Sequence, residues 1–306
     1  MKALVTGGAG FIGSHLVDTL AADGHTVIVI DPAEPVEPFP AGVKHIQKRV
    51  QGVKTGDQSA QFGVVFHLAG PVGPVGVLSQ AGRIVPDIVS MATWLQAFTC
   101  PVVYVSTSEV YGEQPQPVQE EASLVIGSDA SARAEYAVGK LAGEMMLRNS
   151  LRQLRIVRPF NVAGPRQSLV GGFVLPRFIE AALAGEPLTV YGDGSQIRAF
   201  THVQDIADGI YAAGLKGRNG AIYNLGDADN ACTIGDLAHE VIWAIAGGPE
   251  TVDFVDPVDL HGPAFREAPD KVPSTARAYS ELSWHPKRDR AAIITDTIAW
   301  YLRDGG

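Results

Sequence analysis

Cysteine is scarce: Cys100 and Cys232 are the only two in 306 residues. Far apart, they give no disulfide framework, fit a reducing cytosol and read as small buried residues. Basic charge is short too. Lys+Arg 24 against Asp+Glu 33 leaves a formal net charge of -9, which argues against general nucleic-acid binding and against an anionic membrane surface. An anionic small substrate stays open, because local arginines can outweigh the global sign. No apolar run approaches the roughly 18 residues of a membrane span. The apolar start Met1–Val5 is too short for a signal peptide and runs into a glycine loop. There is no internal repeat, and no metal is expected. A cytoplasmic chain is expected, with one large domain or two intimate ones. Its 46% hydrophobic and 19% charged residues are ordinary for a globular protein.

Glycine, by contrast, is placed with purpose. Ala3-Leu4-Val5 reads as a strand, Gly7-Gly8-Ala9-Gly10-Phe11-Ile12-Gly13 follows at once, and Phe11–Ala22 has helical periodicity. Thr26–Ile30 is a second strand, ending in Asp31. This βαβ unit carries its glycines at the strand-to-helix turn. Gly7 permits the turn, Gly10 the approach of a pyrophosphate, and Gly13 the packing of helix on strand. The anion would sit at the helix N-terminus, against Phe11 and Ile12. Asp31 can accept hydrogen bonds from both hydroxyls of a ribose, and its charge repels a 2′-phosphate, so NAD is expected rather than NADP. Asp31–Pro40, with four prolines and two glutamates, reads as a surface loop.

Val64–Gly70 adds a buried strand ending in small residues, so that Leu68 and Ala69 would line the cofactor. His67 reads as structural, with a catalytic acid as the alternative. Pro101–Ser106 is another strand, and Thr107, Ser108 and Glu109 fall at its carboxyl end, where open α/β sheets bind ligands. The alternative there is a capped, polar strand end. Tyr136 and Lys140, four apart on one helix, share a face. The ammonium would lower the phenol's pKa and make Tyr136 a general base toward a hydroxyl.

These segments together resemble the extended short-chain dehydrogenase family, the NAD-dependent nucleotide-sugar epimerases, dehydratases and decarboxylases. The resemblance is carried by Gly7–Gly13, His67–Gly70, Ser106–Gly112, Tyr136–Lys140, Arg158–Arg166 and Gly185–Asp205, in the family's order. It implies that Thr107, Tyr136 and Lys140 form the catalytic set. Thr107 would hold a sugar 4-hydroxyl, Tyr136 would take its proton, and Lys140 would bind the nicotinamide ribose. Asn161, Arg198 and Arg266 would meet the diphosphate. Leu175, Arg177, Thr189 and Tyr191 would meet the base of a UDP-sugar.

Thr107-Ser108-Glu109 resembles the UDP-glucuronate decarboxylases, as do Gly139 and the run Gly185–Phe200. The 4,6-dehydratases carry an aspartate where Ser108 stands. Decarboxylation of UDP-glucuronate is therefore the expected reaction, with Ser108 and Glu109 near C5 and C6; 4-epimerisation of UDP-glucose or UDP-glucuronate is the alternative, and a non-catalytic dinucleotide sensor a minor one. Arg166 and Arg277 are candidates to grip a sugar carboxylate. The family's adenine-contacting acid is not in place in Gln47–Val50, although Asp57 is near. The resemblance also implies a Rossmann-type doubly wound α/β sheet with a smaller C-terminal substrate domain. Residues 1–165, completed by about 200–226, would bind NAD; 166–199 and 227–306 would bind the nucleotide-sugar. A homodimer is expected, the helix bearing Tyr136 forming part of its interface through Ala142, Met145 and Met146.

Overall fold

A computed structural model describes residues 1–54, 61–71, 73–127, 131–245, 251–256 and 270–304. The chain begins β1 (Lys2–Thr6), α1 (Phe11–Ala22), β2 (Thr26–Ile30), β3 (Lys44–Ile46) and β4 (Val64–His67). It continues α2 (Pro74–Leu78), α3 (Ile84–Leu95), β5 (Val102–Val105), α4 (Ala132–Ser150), β6 (Leu154–Pro159) and β7 (Val162–Ala163). Then come α5 (Val174–Ala184), β8 (Leu188–Tyr191), β9 (Ile197–Ala199), β10 (Thr201–His202), α6 (Val203–Lys216) and β11 (Ile222–Leu225). The remainder is β12 (Ala231–Thr233), α7 (Ile234–Ala244), β13 (Val252–Val255), α8 (Ala276–Leu282) and α9 (Arg290–Asp304).

Seven strands join in the order β3-β2-β1-β4-β5-β6-β11, every neighbouring pair parallel. The near-continuous Val and Ile of these strands suit a sheet covered on both faces. The chain winds outward from β1 through β3, then returns to lay β4 on the other side of β1. That reversal opens a crevice at the carboxyl ends of β1 and β4, the place where doubly wound sheets bind ligands. The expected doubly wound α/β fold is the observed one.

Leu16, Val17 and Leu20 of α1 pack with Ile206 and Ile210 of α6 and Leu282 of α8 on one face. Ile84, Ile88 and Leu95 of α3 pack with Leu147 of α4 on the other. A Cβ on Gly139 would lie 2.9 Å from Ile88 Cδ1, so this glycine, beside the lysine, serves the close approach of α3 and α4. Arg158 Nε and Nη2 grip Glu144 Oε1 and Oε2 at 2.9 and 2.6 Å, each residue 1% exposed. This bidentate pair fastens α4 to β6. A separate core of Phe178, Ile179, Leu188, Val190, Leu237, Val241 and Ile294 joins α5, α7, α9 and β8.

Candidate active site

The glycine loop is built by close approach. Gly7 stands at φ +75°, and a Cβ on it would lie 2.6 Å from the Ala69 nitrogen and 2.8 Å from the Leu68 carbonyl carbon. Leu68 N–H donates to the Thr6 carbonyl at 2.9 Å, which brings Leu68 and Ala69 beside the loop. A Cβ on Gly13 would strike the Gly7 carbonyl. Gly10 caps α1 without any side-chain hydrogen bond, and no acid occupies the helix's first turn. The helix therefore presents free N–H groups and an uncompensated dipole, as anion sites do. Phe11 and Ile12 form its first turn. Asp31, buried at the end of β2, accepts from Ala9 N at 3.1 Å and Ala33 N at 2.9 Å. It thus ties the loop to the strand end. The residues present fit a dinucleotide.

Across the crevice, Lys140 is buried and donates from Nζ to the Val105 carbonyl at 2.9 Å. A Cβ on Gly70 would sit 3.4 Å from that Nζ, at φ +155°. Burial lowers the Lys140 pKa to about 8, with the Glu144 charge opposing. Lys140 Nζ lies 5.9 Å from the centre of the Tyr136 ring, so the two share a face as the spacing requires. The expected lowering of the phenol pKa is not what the chain shows. Burial first, and the Glu109 charge second, push Tyr136 above the ordinary phenol range, while a hydrogen bond with Thr107 works against them. The physical reason is that desolvation of the phenol outweighs the hydrogen bond from Thr107. Ser106 Oγ, next in the chain, is buried without a protein partner.

Thr107 caps the turn Ser108–Tyr111, its hydroxyl accepting from Glu109 N at 3.2 Å. Ser108 is buried beneath it. Glu109 meets Arg133 Nε at 2.6 Å through one oxygen and the Lys271 ammonium through the other. Burial raises the Glu109 pKa, but the two cations outweigh it and hold the carboxyl down to about 2. Burial drives Lys271 down to about 8, Glu109 opposing. Sequence reasoning missed both partners. Arg133 stands three residues before Tyr136 and was findable as the previous turn of the same helix face. Lys271 carries no such signal, lying 162 positions from Glu109.

Of the remaining candidates, Asn161 (φ 27°) donates from Nδ2 to the Lys271 carbonyl at 3.4 Å, and Arg198 bridges backbone to backbone with Lys271. Both therefore join the Glu109 cluster. Arg177, Thr189 and Tyr191 form a second group: Arg177 Nη2 donates to the Thr189 carbonyl at 3.4 Å and stacks 4.7 Å from the Tyr191 ring centre. Leu175 is in the α5 core. Arg266 and Asp57 lie outside the described residues. Arg166 is held between Asp18 and Glu37, and Arg277 between Glu121 and the Ile222 carbonyl, so neither faces this cluster as a carboxylate grip. His67 is structural: it bonds Thr6 Oγ1 at 2.7 Å and stacks on Tyr104, and burial followed by the Lys140 charge pushes its pKa to about 3. Among the described residues no cluster of His, Cys, Asp or Glu could hold a metal, and no helix is long and apolar enough to cross a membrane.

Residues 3–226 match the family model described as NAD dependent epimerase/dehydratase family. A UDP-N-acetyl-alpha-D-glucosaminuronate decarboxylase of Bacillus cytotoxicus is 32% identical over 98% of this chain and 97% of its own length. UDP-glucuronic acid decarboxylase 2 of Arabidopsis thaliana is 31% identical over 94% of this chain, which spans 65% of that relative. Among solved structures, MoeE5 in complex with UDP-glucuronic acid and NAD superposes with TM-score 0.83 at 26% identity, covering 99% of this chain and 100% of that one. UDP-N-acetylglucosamine 4-epimerase from Methanobrevibacter ruminantium M1 gives 0.85 at 25%, covering 99% and 98%. With the glycine loop, the β2 acid and the Tyr136–Lys140 face all in one crevice, the chain belongs to the NAD dependent epimerase/dehydratase family.

Proposed function

We propose that the protein is an NAD-dependent enzyme that transiently oxidises C4 of a UDP-linked uronate sugar and releases its carboxylate as CO2. The observation that carries the decarboxylase reading is Glu109, an ionised carboxylate fixed beside Thr107 and Tyr136. The two decarboxylase relatives support it.

Bound NAD would supply a reversible hydride acceptor, held by Gly7, Gly10, Phe11, Ile12 and Gly13 at its pyrophosphate, Asp31 at its adenosine ribose, and Leu68 and Ala69 alongside. Tyr136 takes the proton of the sugar 4-hydroxyl as the phenolate, and Thr107 holds the oxygen. The nearby Lys140 ammonium, and the positive charge that bound NAD would bring, favour that phenolate against the burial that holds it protonated. The C4 ketone is β to the C6 carboxylate, so the C5–C6 bond breaks and its electron pair enters the ketone as an enolate. Donors aimed at that oxygen stabilise it. A proton then returns to C5, and bound NAD would give back at C4 the hydride it took, so no outside redox partner is needed. Ser108 and Glu109 orient the C5–C6 end. Lys140 holds the nicotinamide ribose. Asn161 and Arg198 serve the diphosphate; Arg177, Thr189 and Tyr191 serve the base. Residues 1–165 with about 200–226 form the NAD domain, and 166–199 with 227–306 the nucleotide-sugar domain. The enzyme works as a cytoplasmic homodimer, for which Met145 and Val138 on α4 offer exposed apolar surface.

The test is NMR of products from UDP-glucuronate, UDP-N-acetylglucosaminuronate and UDP-glucose. CO2 with a UDP-pentose is expected. The second reading, 4-epimerisation, is favoured by the likeness to the Methanobrevibacter ruminantium 4-epimerase; a UDP-galacturonate or UDP-galactose product would establish it instead.

A further inference from the structure

Lys271 belongs to no motif in this chain, yet it is among the most buried charges in the molecule, 3% exposed. Three contacts from different parts of the chain fix it. Asn161 Nδ2 donates to its carbonyl at 3.4 Å, Ala199 N–H donates to the same carbonyl at 3.4 Å, and its ammonium meets Glu109 Oε1. On the other side of the carboxylate, Arg133 Nε meets Oε2 at 2.6 Å. Glu109 keeps a quarter of its side chain exposed, whereas Lys271 shows 4%. The carboxylate is therefore the member that faces a ligand, and the lysine stands behind it.

We propose that Lys271 is a positioning residue: with Arg133 it clamps Glu109 as an aimed anion beside the Thr107–Tyr136 pair. The inference rests on the proposed role of Glu109 at the C5–C6 end of the sugar. One cation would leave the carboxylate free to swing about a single contact. Two cations, one per oxygen, fix both its plane and its direction. Burial alone would favour the protonated acid, which donates where an anion accepts. Among the described residues, the charged and titratable groups around Glu109 are Lys271 on the segment before α8, and Arg133 and the Tyr136 phenol on α4. Arg198 and the exposed Asp270 flank Lys271, with Arg198 Nη1 3.9 Å from Asp270.

The test uses NAD-loaded full-length protein. The Glu109 carboxyl is followed by 13C NMR, assigned with Glu109→Gln, in wild type, Lys271→Met and Lys271→Arg. Lys271→Met should raise the proton affinity of Glu109 at least tenfold, and Lys271→Arg should restore the wild-type titration. The acid limb of kcat/KM for UDP-glucuronate should move up in pH in parallel, while affinity for UDP alone stays within twofold. An unmoved Glu109 titration in Lys271→Met overturns the proposal. So does a loss of UDP affinity equal to the loss of turnover, which would make Lys271 a diphosphate or folding residue. The NMR titration is independent of turnover, so a wild type that decarboxylates nothing sinks the proposed reaction and still leaves the role of Lys271 decided.

Discussion

Glu144→Gln probes how the fold holds the reactive helix. Glu144 is one turn beyond Lys140, and its bidentate bond to Arg158 is the buried tie between α4 and β6. The substitution keeps volume and leaves a guanidinium, 1% exposed, without its counter-charge. Arg158 also lies 4.7 Å over the Tyr111 ring, so it cannot swing to water without unpacking that side chain. Breaking one half of a buried pair costs about 3–5 kcal/mol. At roughly 2 °C per kcal/mol for a chain of this size, Tm should fall by about 6–10 °C. Urea denaturation should show a lower midpoint with unchanged slope. A second consequence is electrostatic. The Glu144 charge is what opposes the lowering of the Lys140 pKa, which burial already brings to about 8. Without it the pKa falls further, so the alkaline limb of kcat/KM should move toward neutrality. The paired variant Glu144→Met with Arg158→Met should recover much of the stability and none of the pH profile. A loss under about 1 kcal/mol for Glu144→Gln, with an unmoved alkaline limb, would refute both halves of the reasoning.

Tyr136→Phe should lower kcat by about 10²–10⁴-fold, with NAD affinity by calorimetry unchanged; near-normal turnover would remove Tyr136 as the base. Gly7→Ala, which would press a methyl against the Ala69 nitrogen, should abolish NAD retention on gel filtration while leaving UDP binding in place. In the wild type, kcat/KM should decline above about pH 8, because the Lys140 ammonium is charged below that value and lost above it. A profile flat to pH 10 would contradict it.

Local chemistry made the first half readable. The glycine loop, the β2 acid and the α4 pair each announce a backbone or side-chain demand within a few residues, and the predicted strands at Thr26–Ile30 and Leu188–Tyr191 are the observed ones. What the sequence hid is held by distant partners. β9 and β12 are three residues each and exist because they pair antiparallel with one another. Arg166 and Arg277 are arginines of the right type whose carboxylates, Asp18, Glu37 and Glu121, lie elsewhere in the chain. Lys271 enters the site only through the fold. The phenol of Tyr136 shows the same limit in another form: spacing placed it beside Lys140, but burial set its proton affinity.

The central claim is a transient oxidation at C4 that the enzyme itself reverses. UDP-[4-²H]glucuronate, incubated with NAD-loaded enzyme in ordinary water, tests it most directly by mass spectrometry and NMR of the product. The account predicts a UDP-pentose that keeps its deuterium at C4, with CO2 released and no net change in cofactor redox state. Deuterium lost from C4, or UDP-glucuronate recovered unchanged, would contradict it; a six-carbon C4 epimer that keeps its deuterium would uphold the oxidation and overturn the decarboxylation.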